Sequence, residues 1–283
     1  MKTTLLLIGL LFTLGSPLCA QGGQATSQWK IDWEKGLFSI EITAPLPKDE
    51  AVLPINRFKT EQMIQQILPE RLAQSLLEVQ VDSRTTIEDI VQEFPDLFQI
   101  LSDLSLHLTQ DFSRASTDYS RISIQFSLPL FPFVARLFPG PRVPNPIPRV
   151  LGYRATREFS GVVIHARNRL PVHGTTGFSP LVPSLFPQIW DEEMNPLLSR
   201  SMMDSEIIHK WGVSAYSYGY SETPYRDRIG ENPLRITARA LFGQQPSDLI
   251  ISSRDAQKLL TSEHNRNLLR EGRLLILLDP QAP

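Results

Sequence analysis

Three tyrosines, Tyr216, Tyr218 and Tyr220, alternate strictly with Ala215, Ser217 and Gly219. On a β-strand that period places the three rings on one face. An exposed row of rings stacks on sugars or on a protein partner; a row turned to a core or a covering loop is the plainer alternative. Seven arginines (Arg136, Arg142, Arg149, Arg154, Arg157, Arg167 and Arg169) lie between Pro129 and His173 against one acid, Glu158. Guanidinium groups suit carboxylate and phosphate recognition. Arg154 and Arg157 are therefore candidates for contact with an acidic polymer or an acidic protein surface, with pairing to the acidic first half of the chain as the alternative.

The patterns that would carry catalysis are weaker. The five histidines (His107, His165, His173, His209, His264) are scattered, and none forms the i, i+4 pair that sets two imidazoles on one helix face for a metal. Asp191-Glu192-Glu193 is the one acidic run, and consecutive residues at a strand end point different ways, as in a solvated turn. Gly177-Phe178-Ser179-Pro180-Leu181 lacks the second glycine of a nucleophile elbow, and no glycine-rich phosphate loop is present. His165 follows Val162-Val163-Ile164 and reads as a half-buried, satisfied histidine. These readings give no catalytic residue, no metal ligand set and no cofactor; the chain is expected not to be an enzyme.

The elements that must position these residues fall into two α+β domains, each a small mixed sheet with packed helices. The 283 residues are 41% hydrophobic, enough for real cores, and no stretch after the N-terminal segment approaches the ~20 apolar residues of a membrane span. In the first domain, 29–128, Phe38, Ile40 and Ile42 alternate with polar residues as a half-buried strand. Residues 58–77 carry helical periodicity, with Pro69 expected to kink the helix or split it in two. Thr85 and Glu88 match a capping box. Leu104, Leu106 and Leu108, then Ile122 to Leu128, read as a β-hairpin turning at Ala115 to Asp118.

Seven prolines between Pro129 and Pro148 then suit a stiff extended linker, 129–152, or a recognition motif for a proline-binding partner. Phe131, Phe133, Leu137 and Phe138 argue that part of it packs. The second domain, 153–280, carries strand candidates at 161–166, 185–190, 213–220, 234–241 and 274–278, and helices at 254–260 and 265–270 with Gly272 ending the latter.

The first twenty residues follow the order of an export signal: Lys2, the apolar run Leu5 to Leu14, and small residues before a cut after Ala20. The only cysteine, Cys19, would leave with the signal; lipidation of Cys19 is the alternative, against which Leu18 counts. Charge is uneven. Residues 21–128 hold 9 basic and 16 acidic side chains, net −7, and residues 129–283 hold 18 and 14, net +4. That asymmetry suits two domains with different surfaces and argues against nucleic acid as a partner.

Trp33-x-x-Gly36, Leu76-Leu77-Glu78 and Val81-Asp82-Ser83-Arg84-Thr85-Thr86 resemble small bacterial envelope lipoproteins of the LPP type and the N-terminal domain of the flagellar assembly protein T. The second half resembles the C-terminal module found beside that domain, through Gly161 to Ile164, Pro187 to Glu192, Asn232-Pro233-Leu234, Asp248 to Ser252, Asp255-Ala256 and Arg273 to Asp279. Pro69 departs from a helix that is usually alanine-rich, and His165 stands where aspartate is common. The resemblance implies an envelope location and a link to motility, and it offers no catalytic residues to transfer. The expectation is an exported, periplasmic, non-enzymatic protein with a structural or assembly role, its partners envelope or flagellar basal proteins. A periplasmic cell-wall glycan-binding protein is the alternative.

Overall fold

The structure, a computed structural model, describes residues 25–47, 53–150 and 156–279. The expected export signal and Arg154 lie outside the described residues.

The first domain opens with β1 (Thr26–Asp32) and β2 (Leu37–Pro45), joined by a turn at Trp33 to Gly36. It continues through α1 (Leu53–Leu76), α2 (Ile87–Glu93), α3 (Leu97–Asp103), β3 (Thr109–Ala115) and β4 (Arg121–Pro129). The sheet order is β1-β2-β4-β3, antiparallel throughout. Phe38, Ile40, Ile42 and Ala44 of β2 face Leu128, Phe126, Ile124 and Ile122 of β4 in register, and all are buried. Ile64, Leu68, Leu72 and Leu76 of α1 are buried in the same core. A period-2 stripe thus meets a helical stripe, and each fully buried large side chain contributes ~1.5–3 kcal/mol.

Two expectations are corrected. Pro69 neither splits nor ends α1, which runs unbroken for 24 residues; buried residues on both sides of the proline hold the two turns whose hydrogen bond it removes. Leu104 to His107 is a tight 3-10 turn rather than a strand, with Leu106 83% exposed, so the hairpin strand begins only at Thr109.

The segment after β4 is partly helical. Leu130–Val134 forms a wide π-helical turn and Ala135–Leu137 a tight 3-10 turn, burying Leu130, Val134 and Ala135; this part packs, as its phenylalanines and leucines suggested, but is helical where an extended linker was expected. Pro139 to Val150 has no regular element, yet Ile147 is buried and the Asn145 amide donates to the Ser201 carbonyl at 2.7 Å.

The second domain contains β5 (Val162–His165), β6 (Leu170–Pro171), β7 (Phe178–Ser179), β8 (Ile189–Asp191), β9 (Pro196–Leu198), α4 (Ser205–Trp211), β10 (Ala215–Ser217) and α5 (Arg226–Ile229). There follow β11 (Leu234–Thr237), β12 (Ala240–Phe242), β13 (Asp248–Ile251), α6 (Ser253–Leu260), α7 (Glu263–Arg270) and β14 (Leu274–Leu277). One sheet, β10-β14-β5-β11, is parallel throughout; a second, β12-β13-β8-β9, is mixed; β6 and β7 pair alone. The unbroken apolar runs Val162 to Ile164 and Leu274 to Leu277 are buried on both faces, as inner parallel strands require. Ser252 and Ser262 cap α6 and α7 by accepting from Asp255 N and Asn265 N. Gly272, at φ 61°, ends α7: its own amide bonds to Leu269 O and the next amide to Leu268 O.

Candidate functional site: the seam between the domains

The loop at Val79 to Thr86 is built to be rigid and then to be gripped. Asp82 Oδ1 accepts from the amides of Arg84 and Thr85, both at 3.0 Å, closing a turn on itself. Val81 N reaches Thr85 O at 2.9 Å. The capping box lies one residue beyond its expected place: Thr86 caps α2, with Asp89 at the third position, because the Thr85 backbone is already used by this turn.

The outer side of the loop bonds to the second domain. Leu185 N donates to Gln80 O at 3.0 Å, Phe186 N to Val81 O at 2.9 Å and Gln245 N to Ser83 O at 3.1 Å. Gly243, at φ 109°, lets this approach happen, since a Cβ there would stand 2.3 Å from Ser83 Cβ. Ser83 Oγ donates to Asp248 Oδ2 at 2.8 Å. Asp248 has no solvent exposure and accepts two further bonds, from Gln188 N at 3.0 Å and Trp190 Nε1 at 3.3 Å. Burial pushes its carboxyl up to about 6, although all three donors favour the charged form.

A second set of contacts lies at the β1–β2 turn. Trp33 meets Tyr216 edge-on, ring centroids 5.6 Å apart. The Glu34 carboxylate accepts from Ser217 Oγ at 3.0 Å and from Tyr218 N at 2.7 Å. Phe131 fills a slot left by two glycines: a Cβ at Gly36 would lie 3.1 Å from its ring and one at Gly212 only 2.2 Å. Beside these lies a cavity of about 320 Å³ whose lining includes Trp33, Phe131, Trp211 and Tyr225. The Trp211 ring there already carries Lys210 and Arg228 over it, at 5.0 and 4.9 Å. Arg228 is itself buried. It donates to the carbonyls of Gly272, Trp211 and Gly212 at 2.7, 2.7 and 2.9 Å, serving the free C-terminal end of α4. Desolvation brings its guanidinium down to about 9.

These contacts rearrange the expected tyrosine row. β10 ends at Ser217, where Glu34 catches the chain, so the three rings do not share an exposed face. Tyr216 is buried; its hydroxyl donates to Ser184 O at 3.0 Å and accepts from Ser184 N at 3.2 Å, and burial pushes it up to about 12. Tyr218 is half-buried, and Tyr220 is 82% exposed with the Arg167 guanidinium 4.2 Å over its ring.

Arg157 is exposed, its guanidinium 4.9 Å over the Phe159 ring. Among the described residues, none of Arg136, Arg142, Arg149, Arg157, Arg167 and Arg169 forms an ion pair, so the acidic first domain does not take them up as salt bridges. The histidines do not converge: His107 stacks on Phe133, His173 meets Phe242 edge-on, and His264 Nε2 lies 2.7 Å from Phe159 O. Among the described residues no group of His, Cys, Asp and Glu could hold a metal ion. Asp191 builds its own turn, accepting from Glu193 N, Asn195 N and Asn195 Nδ2. Ser179 Oγ donates to the neighbouring Pro180 O.

The residue that sequence reasoning missed is Asp248. Its partner Ser83 lies 165 positions away, and the one available signal was a lone carboxylate opening the apolar run Leu249-Ile250-Ile251.

Residues 24–137 match the family model described as the N-terminal domain of Treponema pallidum Tp0624, and residues 161–280 match the model of the second domain of that protein. The two matches fall on the two α+β domains seen in the structure. No curated protein matches the chain.

Proposed function

We propose that this is an exported, non-enzymatic protein of the bacterial envelope with a structural or assembly role, its two domains working as one rigid body. The observation that carries this reading is where the buried polar groups are used. Asp248, Tyr216 and Arg228 are all engaged in holding backbone and loops together, and Asp248 does so across the domain seam. A rigid body of this kind acts through surface area, and a stable interface typically buries about 1,200–2,000 Å².

Arg136, Arg142, Arg149 and Arg157 are exposed and form no ion pair among the described residues, which leaves their charge for an acidic partner, since complementary potentials steer association and set its register. The export pattern in residues 1–20 supports a periplasmic location. The resemblance of Val81 to Thr86 and its companion segments to LPP-type lipoproteins and the flagellar assembly protein T supports envelope or flagellar basal proteins as the partners. Crosslinking in intact cells should recover such components, and Arg149→Glu with Arg157→Glu should lower the recovery while the protein stays folded and exported. Unchanged recovery in the double variant, or loss of function from a single alanine at His165 or Ser179 in a folded protein, would contradict the scaffold reading.

A further inference from the structure

A second cavity, of about 260 Å³, opens on the seam where the Asp82 turn faces β9 and the residues after it, lined by Asp82, Phe186, Gln188, Ser199, Arg200 and Ser201. Its residues come from both domains, and its charges are unusual. Arg200 is mostly desolvated, and that burial lowers its pKa, with Asp82 only partly offsetting the effect. No carboxylate among the described residues lies within ion-pair distance of it. The guanidinium sits 4.7 Å over the Phe186 ring, and Nη1 donates to Phe138 O at 3.2 Å. Its remaining N–H groups have no protein acceptor among the described residues. Opposite, Asp82 spends Oδ1 on two backbone amides, which leaves Oδ2 as an acceptor. The Ser199 and Ser201 hydroxyls bond to each other at 2.9 Å, and the Gln188 amide side chain completes the wall.

We infer that this pocket binds an acidic monosaccharide unit: one ring carrying a carboxylate and several hydroxyl or N-acyl groups. The guanidinium, with no carboxylate of the described residues at ion-pair distance, takes the ligand's carboxylate. Asp82 Oδ2 demands a donor beside it, which a sugar hydroxyl or amide N–H supplies. The Asp82 carboxylate repels a phosphate dianion more strongly than the single charge of a sugar carboxylate held on the guanidinium side. The two serines and Gln188 both donate and accept, matching hydroxyl groups of either orientation. The volume falls just below the ~300–1,000 Å³ of typical small-molecule sites, room for a single ring. This inference stands on the pocket alone and goes beyond the assembly role; a rigid scaffold could hold such a unit at the end of an acidic glycan.

Isothermal titration calorimetry on the full mature chain tests it, with glucuronic acid and N-acetylmuramic acid as probes and N-acetylglucosamine and inorganic phosphate as controls. At least one acidic sugar should bind, with the neutral sugar at least tenfold weaker and phosphate undetectable. Arg200→Gln should lose the binding. Because Arg200 also supports Phe138 and Phe186, the paired variant Ser199→Ala with Ser201→Ala, whose hydroxyls bond only each other among the described residues, should weaken it several-fold at unchanged melting temperature. No binding of either acidic sugar, phosphate binding as tight as the sugar, or full binding by the serine variant overturns the inference. Crosslinked partners recovered without any sugar binding would leave the scaffold reading standing and remove this one.

Discussion

The two domains solve the same packing problem in opposite ways. In the first, an antiparallel sheet buries one face under α1 and leaves Glu41, Thr43 and Gln125 on the other, less buried side. In the second, β5 and β14 are buried on both faces and have no polar side to show. Val162, Ile164, Leu274 and Ile276 belong to a continuous core that also contains the buried residues of the first domain. Val163, Leu275 and Leu277 form a separate small cluster with Ile229. A parallel sheet needs cover on both sides, and here part of one cover is supplied across the seam. The seam is therefore part of the second domain's core as well as a contact between surfaces.

Four substitutions or conditions would break or sharpen that contrast. The largest effect is expected at Tyr216, whose ring lies under Trp33. Tyr216→Ala should cost ~4 kcal/mol in denaturant unfolding, in the range of large-to-small core changes, whereas Tyr220→Ala should stay within ~0.5 kcal/mol. Equal costs at the two positions would mean that the tyrosines share one environment after all. Gly212→Ala comes next. At φ 74° and ψ −179° the backbone occupies a region essentially reserved for glycine, and the added methyl meets the Phe131 ring. A loss of about 3 kcal/mol is expected from strain plus overpacking; a neutral substitution would show that Phe131 does not key into the second domain.

The third test uses pH. Asp248 has a folded pKa raised to about 6 from 3.8, so between those values the folded state holds more proton than the unfolded one. Its contribution to stability is therefore fully present below about pH 4 and declines as pH rises through about 6, by up to about 3 kcal/mol. Subtracting the profile of Asp248→Asn removes the other carboxylates from the comparison. The difference should fall across that window and level off above it; a flat difference would mean that the carboxylate is solvated and the seam open. The smallest effect is expected for Ser83→Ala, about 1.5 kcal/mol at neutral pH, as for a hydrogen bond to a charged group. It should shrink in acid, where Asp248 is protonated. A loss as large at pH 4 as at pH 7 would assign the effect to packing of the loop.

The same contrast explains what the residues revealed before folding was considered. The alternation in β2 and β4 is a local property of a half-buried strand, so it was plain from Phe38 to Ala44 and Ile122 to Leu128. The serine caps of α6 and α7 and the stop at Gly272 are equally local. The tyrosine alternation was just as regular but misleading, because Glu34, 183 positions earlier, fixes where β10 ends. Leu104, Leu106 and Leu108 misled for a similar reason: α3 continues into a tight turn there, and the alternation is accidental. α4 went unread because its seven residues bury only Ile208, too little for a helical stripe. The seam itself was legible only as the short segment Val81 to Thr86. Its partners Leu185, Phe186, Gln245 and Asp248 are long-range contacts that no local pattern encodes.

The central claim is that the domains form one cooperative unit, and native-state hydrogen exchange tests it most directly. Amides of Ile40 and Ile42 in β2 and of Val163 and Ile276 in β5 and β14 report on the two domains' sheets separately. The seam predicts that both sets open with the same free energy and the same denaturant dependence, as parts of a single global unfolding. Exchange of the β5 and β14 amides at a clearly lower free energy, with β2 still protected, would show two independent domains and contradict the account.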